Sequence, residues 1–126
     1  MIPGKFVGIG LALGALALLG MTAARAGNAA SGAELFKACA ACHATEAGSN
    51  KPGPSLHGII GRKAGSLAGY AYSPAMKALG KVWDAALLDS YLYDPAGTMP
   101  GAKMAYPGLK DENDRQDVIA YLVTLK

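Results

Sequence analysis

The run Cys39-Ala40-Ala41-Cys42-His43 places two thiols three positions apart and an imidazole directly after the second. This is the C-x-x-C-H pattern by which a c-type haem is attached. Each thiol can add to one vinyl group of a porphyrin, giving two thioether bonds. The adjacent imidazole is then held beneath the iron, where it can serve as the proximal nitrogen ligand. A C-x-x-C pair alone also occurs in thiol redox sites, zinc sites and disulfides. Cys39 and Cys42 are the only cysteines, so a cysteine-rich zinc site is unavailable. A thioredoxin-like site needs a βαβ setting, and no strand pattern surrounds this pair.

Few other side chains offer comparable chemistry. The second histidine, His57, lies in a loop rich in proline and glycine and reads as a solvated side chain. Met76, Met99 and Met104 are the thioethers in the body of the chain, and a methionine is ordinarily a gap-filler in a core. Trp83 and Tyr91 are core aromatics, each with a polar atom that needs a partner once buried.

These residues must be held by helices and loops. Ser31 with Glu34 three positions on is a capping-box pattern, which predicts a helix from there towards Cys42. Gly32, Phe36 and Cys39 share one face of it. Residues 44–69 contain Pro52, Pro54 and six glycines and read as a long ordered loop. A loop of that length in so small a domain needs something to wrap, and a haem would do. Ser73-Pro74 starts a short helix that Gly80 ends. Asp84 caps the next one, with Leu87, Leu88, Tyr91 and Leu92 as its apolar stripe and Pro95 as its stop. Residues 96–109 read again as loop. Asp111, Glu112 and Asp114 open a last helix, as the helix dipole favours. Val118, Ile119, Tyr121, Leu122 and Leu125 are its expected buried face. The class is all-α, with about four to five helices.

The beginning of the chain reads as an export signal. A short segment with Lys5 leads into an uncharged run, residues 6–24, and Ala24-Arg25-Ala26 is an A-x-A cleavage pattern. The rival reading is a retained membrane anchor, since that run is just long enough to span a bilayer. Cleavage after Ala26 divides the chain into residues 1–26, the signal, and residues 27–126, one small domain. It also removes Lys5 and Arg25, so the twelve basic residues become ten against nine acids, and the net charge of +3 falls to +1. Two haem propionates would take it slightly negative. Aromatics are few and no basic stripe interleaves with them, which argues against nucleic-acid binding. Export and the cysteine motif agree, because an exported bacterial chain meets haem in the periplasm.

With these features together the chain resembles the class I cytochromes c, most closely their mitochondrial-like bacterial branch, over nearly all of residues 31–126. Four stretches carry the resemblance: residues 39–43, residues 53–63 from Gly53-Pro54 to Arg62-Lys63, residues 99–105 around Pro100-Gly101 and Lys103-Met104, and residues 117–122. It implies a cytochrome c fold wrapped around one haem c, covalently attached through Cys39 and Cys42. It implies His43 and Met104 as the iron's axial ligands, with Met104 preferred to Met99 because it follows the Pro100-Gly101 turn in the family's register. It implies that Pro54 accepts a hydrogen bond from the other ring nitrogen of His43. Tyr91 would lie near the Met104 sulfur, and Leu56 and Leu92 would pack on the ring. Arg62, Tyr72 and Trp83 would serve the inner propionate. Gly32 and Phe36 would cross the last helix at Val118 and Tyr121. Met76 and Ala102 depart from the family's usual asparagine and threonine, which removes polar atoms from the methionine side of the pocket.

The function so implied is that of a periplasmic monohaem electron carrier, monomeric and not an enzyme. Its donor would be a quinol-oxidising complex or a dehydrogenase. Its acceptor would be an oxidase, a reductase or a photosynthetic reaction centre. It would touch a membrane only through the signal segment, were that kept. Lys37, Lys51, Lys63, Lys77 and Lys103 would steer docking at an exposed haem edge. A haem enzyme or gas sensor with a displaceable sixth ligand is the alternative, and a haem-free thiol–disulfide protein is a second.

Overall fold

The computed structural model describes residues 25–126, with residues 3, 4, 8, 10 and 20 of the preceding segment. Most of the proposed export signal therefore lies outside the described residues. Five helices follow in order: α1, Ala29–Phe36; α2, Pro74–Ala78; α3, Ala85–Tyr93; α4, Pro95–Thr98; and α5, Glu112–Val123. The only pairing of β type among the described residues is an isolated bridge between Lys63 and Val82. No described helix is long and apolar enough to cross a membrane.

Each helix starts at a side-chain cap. Ser73 accepts from the Met76 N–H and is followed by Pro74 at the first helical position, where the missing proline donor costs nothing. Asp84 caps α3 and Asp111 caps α5, each accepting from the N–H three residues on. The start of α1 differs from expectation. Its cap is Asn28, whose Oδ1 accepts from Ser31 N–H at 3.0 Å. Ser31 therefore sits inside the first turn, and the helix begins earlier than the capping-box pattern implied. It also ends at Phe36, and residues 37–42 continue as turns with bonds such as Cys39 N–H to Phe36 O at 2.7 Å. Pro95 stops α3 as expected, but it also opens α4, a single turn capped by Asp94 where the sequence read as loop.

The frame is the crossing of α1 on α5, the most extensive contact between any two helices described. Gly32 makes it possible. A Cβ there would fall 1.9 Å from Asp117 O and 2.9 Å from Tyr121 Cβ, so the two backbones meet at Asp117, one residue before the expected Val118. Phe36 packs on Tyr121 with ring centroids 5.2 Å apart. Val118, Ile119 and Leu122 are buried behind them, whereas Tyr121 and Leu125 are only half-buried.

Arg115 and Asp117 on α5 are also buried, which the apolar pattern of that helix did not reveal. A charge taken out of water must be paired and hydrogen-bonded. Arg115 Nε donates to Asp89 at 2.8 Å, and its Nη1 to the carbonyls of Leu109 and Lys110 at 3.1 and 2.9 Å. One side chain thus ties α5 to α3 and to the loop that follows residue 104.

Candidate functional site

Residues 37–62, 70–76 and 102–106, with one face each of α3 and α5, enclose a cavity of about 360 Å³. Every residue that the family resemblance assigns to the haem or its iron lines it. Cys39 and Cys42 line it side by side, Cys39 half-buried and Cys42 exposed. Burial pushes the Cys39 thiol up, and the neighbouring Cys42 adds to the effect. His43 lines the cavity next to them. Its Nδ1 lies 2.7 Å from the Pro54 carbonyl, which fixes the ring and leaves Nε2 as the nitrogen available to a metal. Burial lowers the His43 pKa, opposed in part by the bond to Pro54, which favours the neutral form that ligates.

Gly53 is what lets this loop approach. A Cβ on it would lie 2.4 Å from His43 Cε1 and 2.7 Å from Nδ1. Position 53 therefore cannot carry a side chain while the ring keeps its place.

The cavity is also lined by Met104, half-buried beside Ala102 and Lys103, and by Met76 and Tyr91. Met99 is buried in the core and does not reach the cavity. His57 does not line it either. Leu56 and Leu92 give the cavity apolar surface, and Phe36, Ile59, Val118 and Leu122 continue it into the core.

The polar residues are fewer and specifically placed. Arg62 Nη1 donates to Ser55 O at 2.8 Å, and Nη2 donates to His57 O, so the guanidinium braces the loop it lines. The Tyr72 hydroxyl accepts from Leu67 N–H at 3.3 Å. Trp83 and Tyr91 pack with ring centroids 5.2 Å apart. Among the described residues no buried side-chain nitrogen or oxygen lacks a partner, and no bond is made by Trp83 Nε1 or the Tyr91 hydroxyl. Both residues line the cavity. Burial pushes the Tyr91 hydroxyl up, so it stays a protonated donor.

Two aromatic residues of this site escaped the sequence reading. Tyr70 lines the mouth, bonds Pro52 O at 2.9 Å and meets Tyr72 edge-on at 4.8 Å. Tyr106 lines the mouth on the Met104 side and is half-buried, with its hydroxyl pushed up by burial and then by Cys39. Each lies in a loop, where neither helical nor strand periodicity gives a signal. Lys103 Nζ reaches across to Ala71 O at 2.5 Å and closes the rim.

A largely apolar cavity lined by two cysteines, an imidazole fixed by a backbone carbonyl and a thioether fits one covalently bound haem. The Cytochrome c family model matches residues 29–126. The chain belongs to the cytochrome c family. It is similar to a cytochrome c of Cochliobolus lunatus, 51% identical over 98 residues, covering 76% of this chain and 91% of that one. It is 51% identical over 90 residues to cytochrome c2 iso-2 of Magnetospirillum fulvum, covering 71% and 94% of the two chains. The solved structure of cytochrome cH from Methylobacterium extorquens superposes with a TM-score of 0.74 at 46% identity, over 78% of this chain and 99% of that one. Like other cytochromes c, the chain binds one covalent haem c, with Cys39 and Cys42 at the attachment spacing, and is an electron carrier at the level of its family.

Proposed function

We propose that this cytochrome c is a periplasmic carrier of single electrons whose iron is held between His43 and Met104. The observation that carries the reading is that His43, fixed through Nδ1 by Pro54 O at 2.7 Å, and Met104 line the same cavity as the two thiols, whereas Met99 and His57 do not. When bound, haem supplies an iron that alternates between ferrous and ferric forms. The protein's part is to hold, tune and insulate it. The Pro54 carbonyl orients the imidazole and raises its basicity. A thioether from Met104 favours the reduced state, as does the apolar wall made with Leu56 and Leu92. His43 and Met104 together would hold the iron with the same pair of side chains in either oxidation state, so little of the protein would need to reorganise. Arg62, Tyr72 and Trp83 present donors suited to the propionate carboxylates.

Export to the periplasm is supported by the uncharged run after Lys5 and by the A-x-A pattern ending at Ala26. Lys103 lines the rim, Lys51 and Lys77 adjoin rim residues, and Lys37 and Lys63 are exposed. Lys37 is paired with Glu34 at 2.5 Å, so steering by these residues comes from charge distribution more than net charge. Partners would be a quinol-oxidising complex or dehydrogenase on one side and an oxidase, reductase or reaction centre on the other. Fractionation of a bacterial host, followed by intact mass and acid–organic extraction, tests the reading. The expected result is a periplasmic protein starting at Gly27 whose haem stays with the denatured chain. Protein confined to the cytosol, or haem that passes into the organic phase, would overturn it.

A further inference from the structure

Asp117 presents an unusual problem for the mature chain. Its carboxylate lies in the middle of α5 and the residue is only 5% exposed. A carboxylate so placed needs a cation or several donors. In the full chain Arg25 supplies the cation, with Nη1 2.9 Å from Oδ1 and Nη2 3.4 Å from Oδ2. The backbone N–H of Asn28 adds a bond to Oδ1 at 2.8 Å. The Asn28 bond first, then Arg25, holds the Asp117 carboxyl below its usual range. Cleavage after Ala26 would remove Arg25 and leave the carboxylate with one neutral donor.

The same cut creates a replacement. The Gly27 nitrogen precedes the Asn28 nitrogen by one residue, and successive backbone nitrogens are at most about 3.7 Å apart. It therefore lies within about 6.5 Å of the Asp117 carboxylate, with rotation at Gly27 free to close the gap. Gly27 is also seated on α5. A Cβ there would fall 2.1 Å from Gln116 O and 3.0 Å from Ala120 Cβ, so no residue with a side chain could lie so close. The other groups facing Asp117 do not compete. Gly32 of α1 carries no charge, and Asn113 and Gln116 of α5 are neutral. Asp114, one turn earlier on α5, is a like charge that adds to the need for a cation.

We propose that Asp117 is the seat of the mature amino terminus: once residues 1–26 are removed, the α-ammonium of Gly27 takes over from the Arg25 guanidinium as its ionic partner. The inference rests on the reading that export ends in cleavage after Ala26. It gives that cleavage a structural consequence. The first residue of the mature chain is pinned to α5 next to the α1 crossing, and a cut two residues later, after Asn28, would leave Asp117 without either nitrogen.

The test uses the exported haem protein and its Asp117→Asn variant, each with its terminus established by intact mass. Acylation of the α-amine is followed against pH by mass mapping of the N-terminal peptide, which separates it from lysine. A carboxylate partner raises the amine pKa, so the pairing is present below the amine's ordinary value, near 7.8, and lost as pH rises through the folded value. The expected shift is about one unit, which makes the wild-type amine about tenfold slower to react at pH 7 than that of Asp117→Asn. Should the variant not fold, native wild type compared with the same protein in denaturant reads the same shift. An amine that starts at Gly27 and titrates at its ordinary value overturns the pairing alone. A mature mass that starts elsewhere overturns the cleavage reading and the pairing with it.

Discussion

A thioether at position 104 and another at position 99 differ by five residues and by their whole environment. Met104 lines the cavity, whereas Met99 is 2% exposed in the core. Met104→Ala should abolish the weak far-red sulfur-to-iron band of the ferric protein. It should also lower the reduction potential by on the order of 0.2 V, within the roughly 0.8 V span that axial ligands command. Met99→Ala should keep the band and lose about 2–4 kcal/mol of stability by cavity formation. Absorption spectra and voltammetry of the two variants check both, and the reverse pattern would assign the ligand to Met99. At this scale the sequence was highly legible. The attachment motif is local, with both thiols and the imidazole inside five residues. The carbonyl of Pro54 that meets His43 was legible only through family resemblance, because nothing local announces a contact across eleven residues. Arg115 and Asp117 were not legible at all, since apolar periodicity assigns a charged residue to the surface and cannot see its partners.

Among the helices, what decides the frame is how closely α1 and α5 can approach. Gly32 leaves no room for a methyl group, with Asp117 O 1.9 Å from where a Cβ would lie. Gly32→Ala should force the helices apart and cost on the order of 3 kcal/mol, the upper part of the range for overpacking. Guanidinium unfolding of the haem protein measures it, and a change below about 0.5 kcal/mol, the level of an inconsequential surface substitution, would show that the crossing yields freely. The helices themselves were read from caps and stops, which are local chemistry: Ser73-Pro74, Asp84, Pro95 and Asp111 all act where expected. The misreadings have the same local origin. Ser31 competed with Asn28 for the cap of α1, and Asn28 is held by Asp117 from a helix 89 residues away. The turn of α4 is too short to show periodicity. Its cap, Asp94, was hidden by Pro95, which marks a helix stop and a helix start equally well.

Taken as a whole, the molecule is a set of short helices and long loops around a cavity that runs into its own core. Phe36, Val118 and Leu122 belong at once to the α1–α5 contact and to the cavity wall. The cofactor would therefore complete the core, and the length of the loop over residues 44–69 makes sense as the span needed to surround it. That global feature was legible as a loop in search of something to wrap, but its closure was not. Closure depends on bonds between loops, Tyr70 to Pro52 and Lys103 to Ala71, that no single segment encodes. A carrier whose chain supplies both iron ligands differs from a haem enzyme or gas sensor in one respect that can be read directly, which is whether the iron accepts an outside ligand. The decisive measurement is carbon monoxide binding to the ferrous native protein at neutral pH, with the ferric far-red band recorded on the same sample. The expected result is a ferric band and a ferrous spectrum unchanged by carbon monoxide. A protein that lacks the band and takes up carbon monoxide rapidly would have an open or displaceable sixth position, and would contradict a carrier held between His43 and Met104.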